Sequence, residues 1–220
     1  GGMLTGTDYS LGAGSYPISV VSGGVWQPNP AGPLTSGGNS TLGSLFTAYG
    51  GGHGSRSPSE QAEPGGSGGG GAGGDNSFSV SPQNGGDGNK QTGTSTAAPQ
   101  TPQGNAGGSG GPNGNAYGGQ GGGGGGAGGA GDGAPETRAG GDGGIGKVVT
   151  WMPGAFGTAG PSAGRWFAGG GGGSSRSDSG GNWPNPNGAS GGAGGGGRGN
   201  SDTLNSKVGV DHTGGGGGHN

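Results

Sequence analysis

Few residues of this chain are spaced for chemistry. The octapeptide 141–148 (GDGGIGKV) approaches the phosphate-binding loop G-x-x-x-x-G-K-[ST], but Val148 stands where a hydroxyl must reach the metal ion. No apolar strand precedes it and no helical pattern follows it, so it reads as a chance spacing among 75 glycines. The stretch 70–78 (GGAGGDNSF) brushes against the calcium-binding nonapeptide G-G-x-G-x-D-x-U-x. Ser77 occupies the apolar position, and the motif is not repeated in tandem. His53, His212 and His219 are isolated, with no second histidine at metal-pair spacing, and read as solvated loop residues. There is no cysteine, hence neither a disulfide framework nor a thiolate site. No Ser/His/Asp group converges in any pattern. The chain is expected to be no enzyme, with no cofactor and no bound metal. Asn39-Ser40-Thr41 is a glycosylation sequon, relevant only in a eukaryotic secretory setting.

The aromatic residues carry more information. Trp26, Tyr117, Trp151, Phe156, Trp166, Phe167 and Trp183 lie in or beside long polar inserts between glycine runs. Aromatic side chains on loops are favoured binding anchors when a rigid scaffold holds the loop. The competing reading is that they cover the flanks of a molecule with few other apolar residues. Trp151, Met152, Phe156 and Trp183 sit in long, varied inserts and are the candidates for receptor contact.

What must position them is unusual. Glycine accounts for 75 of 220 residues, and only 22% of the chain is hydrophobic. Collagen is excluded, because runs such as 121–126 break any G-X-Y register and Pro is only 15 residues. Composition alone would place the chain among disordered sequences. An ordered form needs something other than a hydrophobic core. The formal charge is −3, and the eight basic residues are scattered singly, so no nucleic-acid surface is expected. No apolar run approaches the length of a membrane span, so no membrane insertion is expected. The chain begins at Gly1, as expected of a fragment or a processed product.

Secondary-structure signals are sparse. Ile18 and Val20 alternate with Ser19, the pattern of a half-buried strand, with Pro17 marking a strand start or an edge. Leu42, Leu45, Phe46 and Tyr49 form a second apolar cluster, suited to a strand or a short turn. The stretch 147–151 (KVVTW) also reads as a strand. No helical periodicity occurs anywhere. For the glycine runs, the polyproline-II type of helix offers three residues per turn and no internal hydrogen bonds. Its backbone groups must find partners on neighbouring segments. Glycine lets backbones approach on all sides, so 121–131 suits an interior segment, while 68–74 (with Ala72) and 140–144 suit outer ones. The expected fold is irregular and all-β-like. It is a polyglycine-II bundle or sandwich without α-helix, with an N-terminal β element over 1–49 and the bundle over 50–220.

Several blocks resemble the glycine-rich domain of phage tail fibres and tail-fibre-tip adhesins. The stretch 16–24 (YPISVVSGG) is similar to that family's opening strand. The stretch 39–52 (NSTLGSLFTAYGGG) resembles its NS-hydrophobic-G-S-L-x-x-A-x-GGG segment. The blocks 166–173 (WFAGGGGG) and 213–218 (TGGGGG) are similar to its later blocks, in the same order, so the resemblance covers nearly the whole chain. It implies a polyglycine-II sandwich whose variable loops touch a host receptor, as part of an extracellular virion structure. The implied partners are a host-surface glycan or outer-membrane protein and other fibre subunits. The chain departs from the family in ending at His219-Asn220, without the Ile/Val/Tyr-rich strand that commonly follows the last glycine block. The alternative expectation is a passive extracellular filament, coat or cell-wall protein. An ice-binding bundle is disfavoured, because the irregular inserts do not make a flat, regularly spaced face.

Overall fold

The computed structural model describes residues 1–6, 8–25, 34–74, 81–89, 103–111, 119–135, 139–175, 188–201 and 206–218. Among these there is no helix. Two small antiparallel sheets are present. Strands β1 (Ile18–Ser19), β2 (Ser40–Leu42) and β3 (Phe46–Ala48) form the first, in the order β1-β2-β3. Strands β4 (Lys147–Val149) and β5 (Arg165–Phe167) form the second. The non-helical, all-β-like irregular character expected from the sequence is therefore what the described residues have.

Each short strand has a local cause. Leu42 pairs with Phe46 across a three-residue turn, in which Gly43 takes φ +52° and the Leu45 N–H donates to Leu42 O at 3.0 Å. The Gly43 N–H then donates to Pro17 O at 2.7 Å, fixing the start of β1. Tyr9 lays its ring edge-on against Phe46, with centroids 4.7 Å apart. One sequence expectation fails here. Ile18 and Val20 are 74% and 82% exposed rather than half-buried: β1 is an edge strand, and no second layer covers it among the described residues.

Most of the molecule is built from glycine segments tied by backbone hydrogen bonds with a strict period. The N–H groups of Gly121, Gly124 and Ala127 donate to Ser174, Gly171 and Ala168. Those of Gly122 and Gly125 donate to Gly71 and Gly68, and those of Gly123 and Gly126 to Asp132 and Gly129. On the acceptor side, Gly111, Gly108 and Asn105 donate to the carbonyls of Gln120, Gly123 and Gly126, while Gly141 and Gly144 donate to Gly121 and Gly124. Every third residue of 121–127 thus faces the same neighbour. The period is neither the two of a strand nor the 3.6 of an α-helix. The same step links 68, 71 and 74 to 105, 108 and 111, and links 169, 172 and 175 to 194, 197 and 200.

The packing explains why glycine is needed. A Cβ on Gly123 would overlap the Asp142 carbonyl, and one on Gly170 would overlap that of Gly124. The buried apolar residues are small: Ala62, Ala72, Ala127, Ala168 and Ala189, joined by Val149 and Trp166. The largest side chains that are fully buried are Ser55 and Ser67. The interior is backbone against backbone.

Two expectations about the runs are corrected. The segment 68–74 is buried throughout, not outer, because it bonds at once to 105–111, 121–125, 83–86 and 52–55. The segment 121–131 is not one interior strand. It turns at 127–129, and Gly126 donates to Gly129, so 129–132 returns beside it. The segment 140–144 does behave as an outer one at Asp142, which is exposed.

Candidate functional site: the loop between β4 and β5

The periodic bonds place the segments end to end. Near the Gly121 end gather Gly111, Gln120, Ala134, Gly141, Ser174, Ser175 and Asn200. The insert 56–62 lies at this end, where Gln83 Nε2 donates to Pro58 O at 2.6 Å. The described residues bracketing 75–80, 112–118, 136–138, 176–187 and 202–205 stand at this end too. At the opposite end, beyond Ala127 and Ala168, β4 and β5 carry the connection 150–164.

Three of the four sequence candidates share that connection. Trp151 is 74% exposed, Phe156 is 56% exposed and Met152 is half-buried. Trp183 lies outside the described residues, and its segment is bracketed by Ser175 and Gly188 at the other end. The four candidates are therefore not brought together. Trp26 and Tyr117 also lie outside the described residues.

The tip 151–157 (WMPGAFG) contains no charged side chain. It turns at Pro153, whose carbonyl accepts the Phe156 N–H at 3.1 Å. Its return limb is held firmly. Thr158 and Trp166 exchange two backbone bonds of 3.0 Å. Trp166 is only 7% exposed, and its indole Nε1 donates to Ser162 O at 3.2 Å. Gly160 lies against that ring, where a Cβ would collide with the indole carbons. Arg165 donates from Nε to Phe156 O and from Nη2 to Gly157 O. Gly157 itself takes φ +64° beside the Phe167 ring. Thr158 Oγ1 accepts the Gly194 N–H at 3.0 Å, joining the loop to the glycine segments.

Arg165, Gly160 and Trp166 escaped the sequence reading as parts of one device. Arg165 looked like one more scattered cation. The available signal was its place one residue before a strand tryptophan, opposite a loop of apolar residues.

The other motifs find ordinary roles. In 141–146, the N–H groups of Gly141, Gly143, Gly144 and Gly146 already donate to Gly121, Ser190, Gly124 and Ala193. The donors that a phosphate would need are consumed by the protein. Asp142 Oδ1 accepts the Ser190 N–H at 2.7 Å. His53 Nδ1 lies 3.1 Å from Gly54 O, and His212 sits exposed in a turn with φ +60°. His219 lies outside the described residues, as do 75–78 of the calcium-like nonapeptide. Among the described residues no three His, Cys, Asp or Glu side chains are grouped as metal ligands, and no helix is long and apolar enough to cross a membrane.

Comparison of the chain with protein-family models, with curated proteins and with solved structures finds no match.

Proposed function

We propose that this chain is a non-enzymatic display module, a polyglycine-II bundle that holds loops for attachment to a cell surface as part of a viral tail fibre. The bundle occupies 50–220, and residues 1–49 form the β element that leads into it. Support for the polyglycine-II geometry comes from the step of three in the bond partners of 121–127 on both the donor and the acceptor side. The attachment reading rests on one observation above all. An uncharged, aromatic loop tip is exposed at Trp151 and Phe156 while its base is tied down by Arg165, Trp166 and Thr158. Exposed aromatics on a held loop are what a binding anchor requires. The partner would be a host-surface glycan or outer-membrane protein, and the location extracellular, on the virion beside other fibre subunits. Trp183 is retained as a second contact candidate, from an insert that attaches at the opposite end.

A second reading, a passive extracellular filament, draws on a different observation. Ile18, Val20, Val21 and Val25 are exposed around an edge strand, and such edges favour pairing between chains.

Adsorption of the labelled chain to a panel of bacteria separates the two. The display reading expects selective binding, reduced about tenfold or more by the double substitution W151A/F156A, since a hot-spot aromatic contributes ~2 kcal/mol or more. Absence of binding to every cell, with concentration-dependent filaments, would replace it by the filament reading.

A further inference from the structure

We propose that Arg165 is a positioning residue that keeps 151–157 as a preformed apolar knob; the functional value of the knob rests on the display reading above. Seven consecutive residues without a charged side chain, five of them exposed to water, have no reason of their own to hold one shape. Apolar groups in that position ordinarily collapse onto the nearest surface. Here the shape is imposed through the main chain. The guanidinium spans two consecutive carbonyls, those of Phe156 and Gly157, at the point where the tip rejoins its return limb. Charge-assisted bonds of this kind are the strong ones, and the planar fork suits two acceptors at once. Among the described residues Arg165 has no carboxylate partner, so its donors are directed to the loop.

The neighbours of Arg165 in β5 hold the rest of the return limb. Arg165 lies in β5 opposite Val149, and its neighbour Trp166 is buried under Gly160. The next residue, Phe167, walls the Gly157 backbone, where φ +64° turns the chain toward Thr158. Each of the three residues of β5 thus grips a different part of the return limb: Arg165 takes 156–157, Trp166 takes 158–162 and Phe167 takes 157. Of the three, Arg165 is the one whose side chain hydrogen-bonds to the tip.

A lysine keeps the charge but loses the fork, and a methionine keeps the length but donates nothing. In the free chain, backbone order parameters for Gly154, Ala155 and Phe156 are expected near the rigid value of about 0.85, falling below about 0.6 in R165M and to an intermediate value in R165K. The rest of β4 and β5 is expected to stay ordered in both. Apparent affinity for a binding cell should weaken by the fraction of time that the knob is formed, on the order of fivefold for R165M, through a faster off-rate. If R165M does not fold, R165K carries the same test. Order parameters at 154–156 that stay unchanged in the folded variant would overturn the proposal. The relaxation measurement needs no receptor, so a chain that is ordered by Arg165 yet binds no cell would refute the attachment reading alone.

Discussion

Gly123 and Gly124 are adjacent in sequence and equivalent by composition, yet the packing treats them differently. A methyl on Gly123 would overlap the Asp142 carbonyl, whereas one on Gly124 would meet its nearest atom, Gly171 N, at 3.4 Å, an ordinary contact. G123A is expected to destabilise by about 1–3 kcal/mol or more, the usual cost of overpacking. G124A should lie within ~0.5 kcal/mol of the parent, with lost unfolded-chain freedom offsetting any crowding. Denaturant midpoints of the two variants check this. The contrast was not legible in the sequence. That glycine would permit close backbone approach was legible in the run 121–126, but which neighbour approaches which α-carbon depends on segments elsewhere in the chain, 68–71, 105–111, 141–144 and 168–174. The aromatic candidates divide in the same way. Trp151 and Phe156 could be singled out as insert residues from their setting, while the burial of Trp166 depends on Gly160 returning across its ring.

At the scale of elements, one side chain that joins the N-terminal sheet to the glycine segments is that of Gln103. Gln103 is buried, accepts the Tyr49 N–H on Oε1 at 2.8 Å, and donates from Nε2 to Thr47 O at 2.9 Å. Its own backbone carbonyl accepts the Met3 N–H. Q103A leaves a part-buried amide and carbonyl without partners, at about 1–3 kcal/mol for an unsatisfied group. Thermal unfolding should show that loss, and Q103E, which sets a carboxylate oxygen against Thr47 O in a buried site, should lose at least as much as Q103A. Nothing in the sequence around Gln103 announces this role, since glutamine in a polar insert is ordinarily a surface residue. The strands themselves were partly legible. The cluster from Leu42 to Tyr49 became β2, a turn and β3, and the stretch from Lys147 became β4, which stops at Val149 rather than at Trp151. The half-buried strand read from Ile18 and Val20 was misplaced because period-two alternation signals a sheet face only if a second layer covers it. Here the neighbouring mass is glycine backbone with few side chains to provide that layer.

For the whole molecule, stability has to come from many small bonds instead of a core. Each backbone hydrogen bond contributes roughly 0.5–1.5 kcal/mol net, and ordering a glycine costs more than ordering any other residue. The arrangement succeeds only if nearly every interior amide is satisfied in the same cooperative unit, as along 121–127, where each N–H has a named acceptor. Such a body is expected to tolerate change in an insert better than in a run, where an added Cβ meets neighbouring backbone. Glycine content alone pointed to backbone-to-backbone bonding of this kind, while the choice of partners was not legible in it. Native-state hydrogen exchange tests this bonding most directly. The account predicts that the amides of 122–126, 170, 172 and 173 exchange together, at the rate set by global unfolding, while those of 154 and 155 exchange near the unprotected rate. Uniformly fast exchange through 122–126, 170, 172 and 173 would contradict it, because no periodic lattice of backbone bonds would then be holding the chain.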